Sequence, residues 1–430
     1  MGCCNSSTRN TLVKKINIII FLLFFGMLPP LHGQTLGLQE SIEKALTSHP
    51  DIKRFILQVN YSRKTVDVAR ADYLPQISLN GEYDPTRTYV LPTNGIFHTR
   101  DDDGWQIGAT LRQKIWDFSR TTNLIKAGET EEEIAVLSLA DAKALMAYRV
   151  KLQYELAAVQ QQAIAVRKED LQAKQELYRQ AQALFRQGLK TEADATRFLS
   201  SCSVARDNLA VAEANLAKAK AMLSFYIGEP LPENVGFAAP ASLPAGYPLT
   251  ADEILRHSPV LKNLQKKTQQ SDLLYRAAKA ARFGSIDAMA SYSHQDTLNS
   301  YDSTVAGILL TIPLYSGGRL SAQQEQAIIN RQSAKNEYQS KMLALKEECD
   351  SLLIDLRRYT QTIRARTDQF RAAGKTKEVV DGRYREGLAT YIEVLDATAA
   401  MLDARLGLLQ AGYDKSSTIH RLEYLQGKIQ

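Results

Sequence analysis

From Ser119 to Gln187 the sequence holds no proline and one glycine, Gly128, over 69 residues. As a helix rising 1.5 Å per residue, such a stretch is on the order of 100 Å long. No compact domain in a chain of 430 residues needs a rod of that length. A second proline-free stretch, from Arg319 to about Glu386, repeats the demand. Each is followed by a Gly-Leu pair, Gly188-Leu189 and Gly387-Leu388, and then by another helical stretch of about 40 residues. Glycine lets a helix end and the chain reverse, so the sequence predicts two very long helical hairpins.

The two hairpins belong to two copies of one unit. An offset of 209 pairs Pro50 with Pro259, Ile77 with Ile286 and Tyr83 with Tyr292. An offset of 199 then pairs Gly108 with Gly307, Arg120 with Arg319, Arg186 with Arg385 and Gly228 with Gly427. The step of ten residues falls in DPTRTYVLPTNGIFHTRDDDG, residues 84–104, whose Pro, Gly, Asp and Thr content reads as an exposed loop. Residues 34–228 form the first repeat and 251–430 the second. The Pro-rich segment 229–250 between them reads as a linker rather than an element.

Alternating segments flank the loop, the period of a strand with two unlike faces. Ile77, Leu79, Gly81 and Tyr83 alternate with polar residues, as do Trp105, Ile107, Ala109 and Leu111. In the second repeat the same role falls to Ile286, Ala288, Ala290 and Tyr292, then Ala306, Ile308, Leu310 and Ile312. Four strands of about ten residues fit a tilted crossing of a bilayer. Four cannot close a barrel, and an open edge in lipid leaves backbone groups unpaired at several kcal/mol each. Several chains must then pool their strands. Three would supply about twelve, enough for a lumen, whereas an eight-stranded interior is filled by side chains.

Along the helices, apolar residues recur in steps of three and four. Leu209, Ala212, Leu216, Ala219, Leu223 and Tyr226 do so in one returning helix, and Ile392, Leu395, Ala399, Leu402, Leu406, Leu409 and Tyr413 in the other. Leu345, Cys349, Leu352, Leu356, Tyr359 and Ile363 keep the same spacing in a long helix. This is the seam of a coiled coil.

Residues 1–33 resemble a secretory leader, with Arg9, Lys14 and Lys15 before an apolar run from Ile16 to Leu28, too short to span a membrane. Cys3 and Cys4 precede that run, not where an acylated lipoprotein cysteine would lie. Losing the leader lowers the formal charge from +6 to about +3, a balance that argues against a nucleic-acid partner. The remaining cysteines, Cys202 and Cys349, are too few for a disulfide scaffold and read as small buried hydrophobes. Six scattered histidines offer no metal-ligand spacing, no cofactor motif is present, and no nucleophile elbow or phosphate loop points to an enzyme.

The strand-to-helix segment LTIPLYSGGR, Leu310 to Arg319, resembles the corresponding motif of TolC-like outer membrane efflux proteins. Pro313 ends the ladder there, and Gly317 with Gly318 permit the turn into the helix. The first repeat keeps only LRQKIWDFSR, Leu111 to Arg120, without proline or glycine, so its junction is expected to differ in detail.

The resemblance covers essentially the whole chain beyond the leader. It implies a mixed α and membrane-β fold, with four transmembrane strands per chain in a shared barrel and long helices forming a periplasmic tunnel. It also implies a homotrimer in outer-membrane lipid, acting with a periplasmic adaptor (membrane fusion) protein and an inner-membrane pump. Gly188, Leu189, Gly387 and Leu388 then become the tips that an adaptor touches. Glu393 and Asp396 match the family's acidic gate ring, where mutual repulsion would raise carboxyl pKa values. Tyr384 and Asp194 match residues that latch the gate. Two departures stand out: the first acid is Glu rather than Asp, and Ala389 replaces a basic gate residue. The alternative reading is a coiled-coil surface or structural protein without channel activity.

Overall fold

The computed structural model describes residues 35–232, 234–238 and 250–429. The leader, with Cys3 and Cys4, lies outside the described residues. Each repeat runs through the same elements. In the first these are β1 (Thr35–Leu36), α1 (Leu38–Ser48), α2 (Pro50–Ala71), β2 (Gln76–Thr93), β3 (Ile96–Trp116), α3 (Arg120–Arg186) and α4 (Glu192–Ile227). The second has β4 (Gly236–Phe237), α5 (Ala251–Arg256), α6 (Pro259–Ala280), β5 (Ser285–Asp296), β6 (Ser300–Thr311), α7 (Arg319–Arg385) and α8 (Tyr391–Leu425).

Sequence chemistry fixes the boundaries. Pro50 and Pro259 open α2 and α6 where a missing N–H costs nothing. Thr191, Thr250 and Thr390 cap α4, α5 and α8 through capping boxes with Asp194, Glu253 and Glu393.

The four long strands form one antiparallel sheet in the order β2-β3-β5-β6. Its register collects the apolar positions onto one face. Ile77 pairs with Leu111, which pairs with Ala290, which pairs with Ala306; Leu79, Ala109 and Tyr292 form the adjacent row. Ser78, Thr110 and Ser291 make a row on the opposite, polar face, as do Asn80, Gly108, Ser293 and Ser303. Ile77, Leu79 and Ile308 are each 74% exposed, so this chain supplies no core to cover the apolar face. β2 and β6 are both open edges.

The segment expected as a loop continues the hairpin. Pairing resumes after a bulge between Asp84 and Arg87 and runs from Arg87–Asp102 to Thr93–Ile96. Asn94 and Gly95, at φ 51° and 79°, close it as a two-residue turn with both central residues left-handed. Since β3 last meets β5 at Trp105–Asp296, these seven pairs form a two-stranded ribbon about 24 Å long beyond the sheet.

The first strand-to-helix junction also departs from expectation. Phe118 and Ser119 adopt φ 55° and 68°, the path that Gly317 and Gly318 follow at 62° and 81°. The backbone turn is therefore shared, although only the second repeat uses glycine for it. Asp117, 2% exposed, secures the first junction by accepting hydrogen bonds from the Thr121 N–H (2.9 Å) and hydroxyl (2.5 Å). Ser119 makes no side-chain cap. Ser119→Gly is accordingly expected to stabilise the protein by about 1 kcal/mol, read as a shift in the denaturation midpoint.

α3 packs lengthwise on α4, and α7 on α8. Ala212, Ala219 and Leu223 of α4 and Leu345, Cys349 and Leu356 of α7 are buried as their spacing predicts. In α8 the buried line is displaced to Val394, Ala397, Ala404 and Ala411, while Ile392 is 50% exposed. The reason is that α8 lies against both α3 and α7, so two neighbours set its buried arc. Cys202 and Cys349 are free and buried, and burial pushes the Cys349 thiol up to about 11. Part of the segment read as a linker is an element: Gly236–Phe237 pairs in parallel with Thr35–Leu36, and the Phe237 ring meets Tyr154 edge-on at 5.4 Å. No helix among the described residues is long and apolar enough to cross a membrane.

Candidate functional site

The two hairpin tips are built alike. Gly188 and Gly387 sit at φ 73° and 74° with open space where a Cβ would stand. Leu189 N–H donates to the Leu184 carbonyl at 2.9 Å, and Leu388 N–H to that of Arg383 at 2.8 Å. These six-to-one bonds close each helix as a Schellman turn. They also turn the following leucine outward: Leu189 is 67% and Leu388 69% exposed. Each rod thus ends in a turn that presents one exposed leucine.

The expected gate residues do not all come together. Glu393 accepts from Thr390 N–H at 2.6 Å and from its hydroxyl at 2.9 Å, while its own N–H donates back to that hydroxyl at 3.3 Å. Those bonds, the backbone one first, hold the Glu393 carboxyl below the usual carboxylate range within the single chain. Asp396, one turn on, is also exposed, so both carboxylates are available to neighbours beyond the chain.

The latch is not made in this chain. Asp194 accepts from the Thr191 N–H and hydroxyl at 3.1 and 3.0 Å. Tyr384 is buried with Phe198, Val394 and Ala389 in a small core that joins the two tips, and its ring meets Phe198 at 6.3 Å. The Tyr384 hydroxyl has no hydrogen-bond partner. Its pKa is raised, by burial first and then by the nearby Asp194 charge. Tyr384→Phe is therefore expected to keep the tip intact and to stabilise it by about 1 kcal/mol in a denaturant titration, since a buried unpaired hydroxyl is removed.

Higher along the rods, a buried polar chain joins the repeats. His420 of α8 stands between Glu155 of α3, 2.8 Å from Nε2, and Glu423, 2.9 Å from Nδ1. Lys151 of α3 donates to Glu423 at 2.8 Å, and Ser416 also meets Glu155. Burial opposes a charge on His420, but hydrogen bonds to both carboxylates outweigh it and hold the imidazole above its ordinary range. Sequence reading misses this cluster, because its members are distant in sequence and show no motif.

Comparison with known proteins follows the same architecture. The profile described as outer membrane efflux protein matches residues 41–229 and again 250–428, one match per repeat. Over 414 residues the chain is 23% identical to outer membrane protein TolC of Escherichia coli, covering 89% of this chain and 80% of that protein. A stretch of 196 residues is 26% identical to the probable outer membrane lipoprotein SilC of Salmonella typhimurium, covering 42% of this chain and spanning 40% of that protein. The structure of the outer membrane protein VceC from Vibrio cholerae superposes with a TM-score of 0.81 at 16% identity, covering 91% of this chain and 96% of that one. Doubled repeat, four-strand sheet and paired rods therefore have one common explanation: the chain belongs to the outer membrane efflux protein family, with the TolC-type fold.

Proposed function

We propose that three copies of this chain form the outer-membrane channel of a tripartite efflux or type I secretion system. It passes cargo from a periplasmic adaptor and an inner-membrane pump to the exterior. Members of the family form trimers that work with efflux pumps. The observation that carries the reading is the sheet, apolar on one face, polar on the other and unpaired at both edges. In lipid those edges need partners, and the edges of two further copies supply them while the polar faces line a lumen. The rods, each on the order of 100 Å, then project into the periplasm.

At their ends, Leu189 and Leu388 are the adaptor contacts. Glu393 and Asp396, repeated by threefold symmetry, form the acidic constriction, with Tyr384 in the core behind it and Asp194 in the neighbouring helix cap. Mass measurement in mild detergent followed by bilayer conductance tests the channel: a conducting trimer supports it, and a non-conducting monomer rejects it. For the tips, Leu189→Glu with Leu388→Glu is expected to lower adaptor crosslinking by at least tenfold while leaving trimer mass and outer-membrane level unchanged. Unchanged crosslinking would remove the docking assignment.

A further inference from the structure

The two sequence offsets carry contacts as well as residues. Adding 209 to Ile77 and 199 to Leu111 turns one observed strand pair into another, Ile286 with Leu310. Gly81 with Ile107 becomes Ala290 with Ala306 in the same way. Among the helices, the ion pair of Arg63 with Glu132 (3.0 Å) becomes that of Asp272 with Arg331 (3.4 Å), its charges exchanged. The repeats are thus equivalent in packing even where their residues differ.

A second set of contacts joins the first repeat to the second: β3 to β5, α3 to α6 and α3 to α8. Carried forward by the same offsets, each joins the second repeat to a first repeat: β6 to β2, α7 to α2 and α7 to α4. This chain cannot complete that set with its own elements, because β2 and β6 are the opposite edges of its sheet. The helix faces concerned are open. Val68 of α2 is 70% exposed, whereas its equivalent Ala277 of α6, a helix with α3 and α7 both against it, is 3% exposed.

The open faces are complementary. Glu169 of α3 pairs with Arg405 of α8, and their equivalents are Asp368 of α7 and Arg206 of α4. Asn263 of α6 donates to the Ser138 hydroxyl of α3 at 2.8 Å, and the equivalents are Arg54 of α2 and Glu337 of α7. Gln270 of α6 donates to Glu131 of α3 at 2.7 Å, where Tyr61 of α2 and Asn330 of α7 are the equivalents. Asp368, Arg206, Arg54, Glu337, Tyr61 and Asn330 are all exposed. Arg206 and Glu337 form no ion pair among the described residues. Arg54 lies 4.0 Å from Asp51, and Asp368 meets Arg371 of its own exposed helix face. One ion pair inside the chain is not kept: Lys266 with Glu133 becomes Leu57 with Gln332.

We propose that copies of this chain join head to tail, α7 of one against α2 and α4 of the next, in the register of the joint inside each chain. Asp368 then meets Arg206 of the partner subunit, Glu337 meets Arg54 of the partner subunit, and Asn330 meets Tyr61 of the partner subunit. A head-to-tail contact whose rotation closes makes a ring. The two charge pairs fix the axial register in which neighbouring copies meet. The inference rests on the trimer reading, and its test separates the two.

The test uses the purified full-length protein. Arg206→Cys with Asp368→Cys, and Arg54→Cys with Glu337→Cys, are treated with a short bifunctional thiol reagent before denaturing electrophoresis. Each pair is expected to give covalent dimer and trimer. Arg206→Cys with Gln361→Cys, two turns or about 10.5 Å away along α7, should give about tenfold less. The parent chain, whose Cys202 and Cys349 are buried, sets the background. Arg206→Asp or Asp368→Arg alone should lower heat-resistant trimer about tenfold, and the two together should restore it. Trimers of native mass and conductance in which the shifted pair crosslinks as well as the matched ones would overturn the register and leave the channel standing. So would charge reversals that change nothing, or a double reversal that restores nothing. A parent protein that is monomeric and does not conduct would overturn the channel, and the joint with it.

Discussion

Replacing Gly284 by alanine is expected to remove most trimer from the outer membrane. Gly284 joins α6 to β5 at φ 84°, and a Cβ there would lie 1.9 Å from the Thr311 carbonyl oxygen. That carbonyl belongs to the first rung of the β5–β6 ladder, Ser285 with Thr311. The clash is with backbone on both sides, so no side chain can swing away. The left-handed conformation alone costs an L-residue about 1–2 kcal/mol, and the forced shift brings the total to about 3–5 kcal/mol per chain. Since β6 is an open edge, its displacement also spoils the edge that another copy must meet. Gly307→Ala in the middle of β6, where a Cβ meets nothing within 4 Å, is the control and should leave trimer yield within error. Heat-resistant trimer on a denaturing gel reads both.

Glu423→Leu should be nearly as damaging for a different reason. It strips Lys151, whose side chain is 6% exposed, of its carboxylate and leaves a buried cation unanswered. Breaking such a pair costs about 3–5 kcal/mol, whereas replacing both members by apolar groups is often neutral. Lys151→Met added to Glu423→Leu should therefore restore most of the lost stability in a denaturant titration.

The same cluster sets a pH dependence. His420 has a folded pKa raised above its unfolded value. Its contribution is full below about pH 6.5 and is lost as pH rises through the higher folded pKa. Glu423 is depressed: burial works against its charge, but His420 and Lys151 prevail. Its contribution is present above about pH 4.3 and is lost as pH falls through the lower folded pKa. The joint between α3 and α8 should thus be tightest in mildly acid solution, and Glu155→Gln should flatten the alkaline limb of a melting-temperature profile.

Whatever has a period is legible in the sequence. Two prolines 209 residues apart, two arginines 199 apart and long stretches without helix breakers are enough to establish the duplicated rods. The hairpin beyond Asp84 escapes because Pro85, Pro92 and three consecutive aspartates resemble a loop by composition. The turn signal Asn94-Gly95, flanked by Tyr89, Val90, Ile96 and Phe97, is nonetheless there to find. Thr390 and Glu393 form a capping box by spacing alone, yet a gate role draws attention first. The left-handed pair Phe118-Ser119 gives no such sign, since neither residue favours that region and only the path of the second repeat reveals it. Lys151, Glu155 and His420 are illegible for a simpler reason. Their meeting depends on the axial register of α3 against α8, which no local pattern encodes.

α3 and α7 each contain 67 residues, although their repeats differ by ten residues in the hairpins above. In the proposed trimer, equal helical rise brings both turns of each chain to about one depth. Deleting a single turn from one rod alone would set alternate tips about 5.4 Å apart and leave a serrated edge. The reach of the assembly is thus a dimension that can be changed only by two matched events in one gene. The outer ribbon is bound by no such match between repeats, and a rung added to it, one residue in each strand, leaves the depth of the tips unchanged.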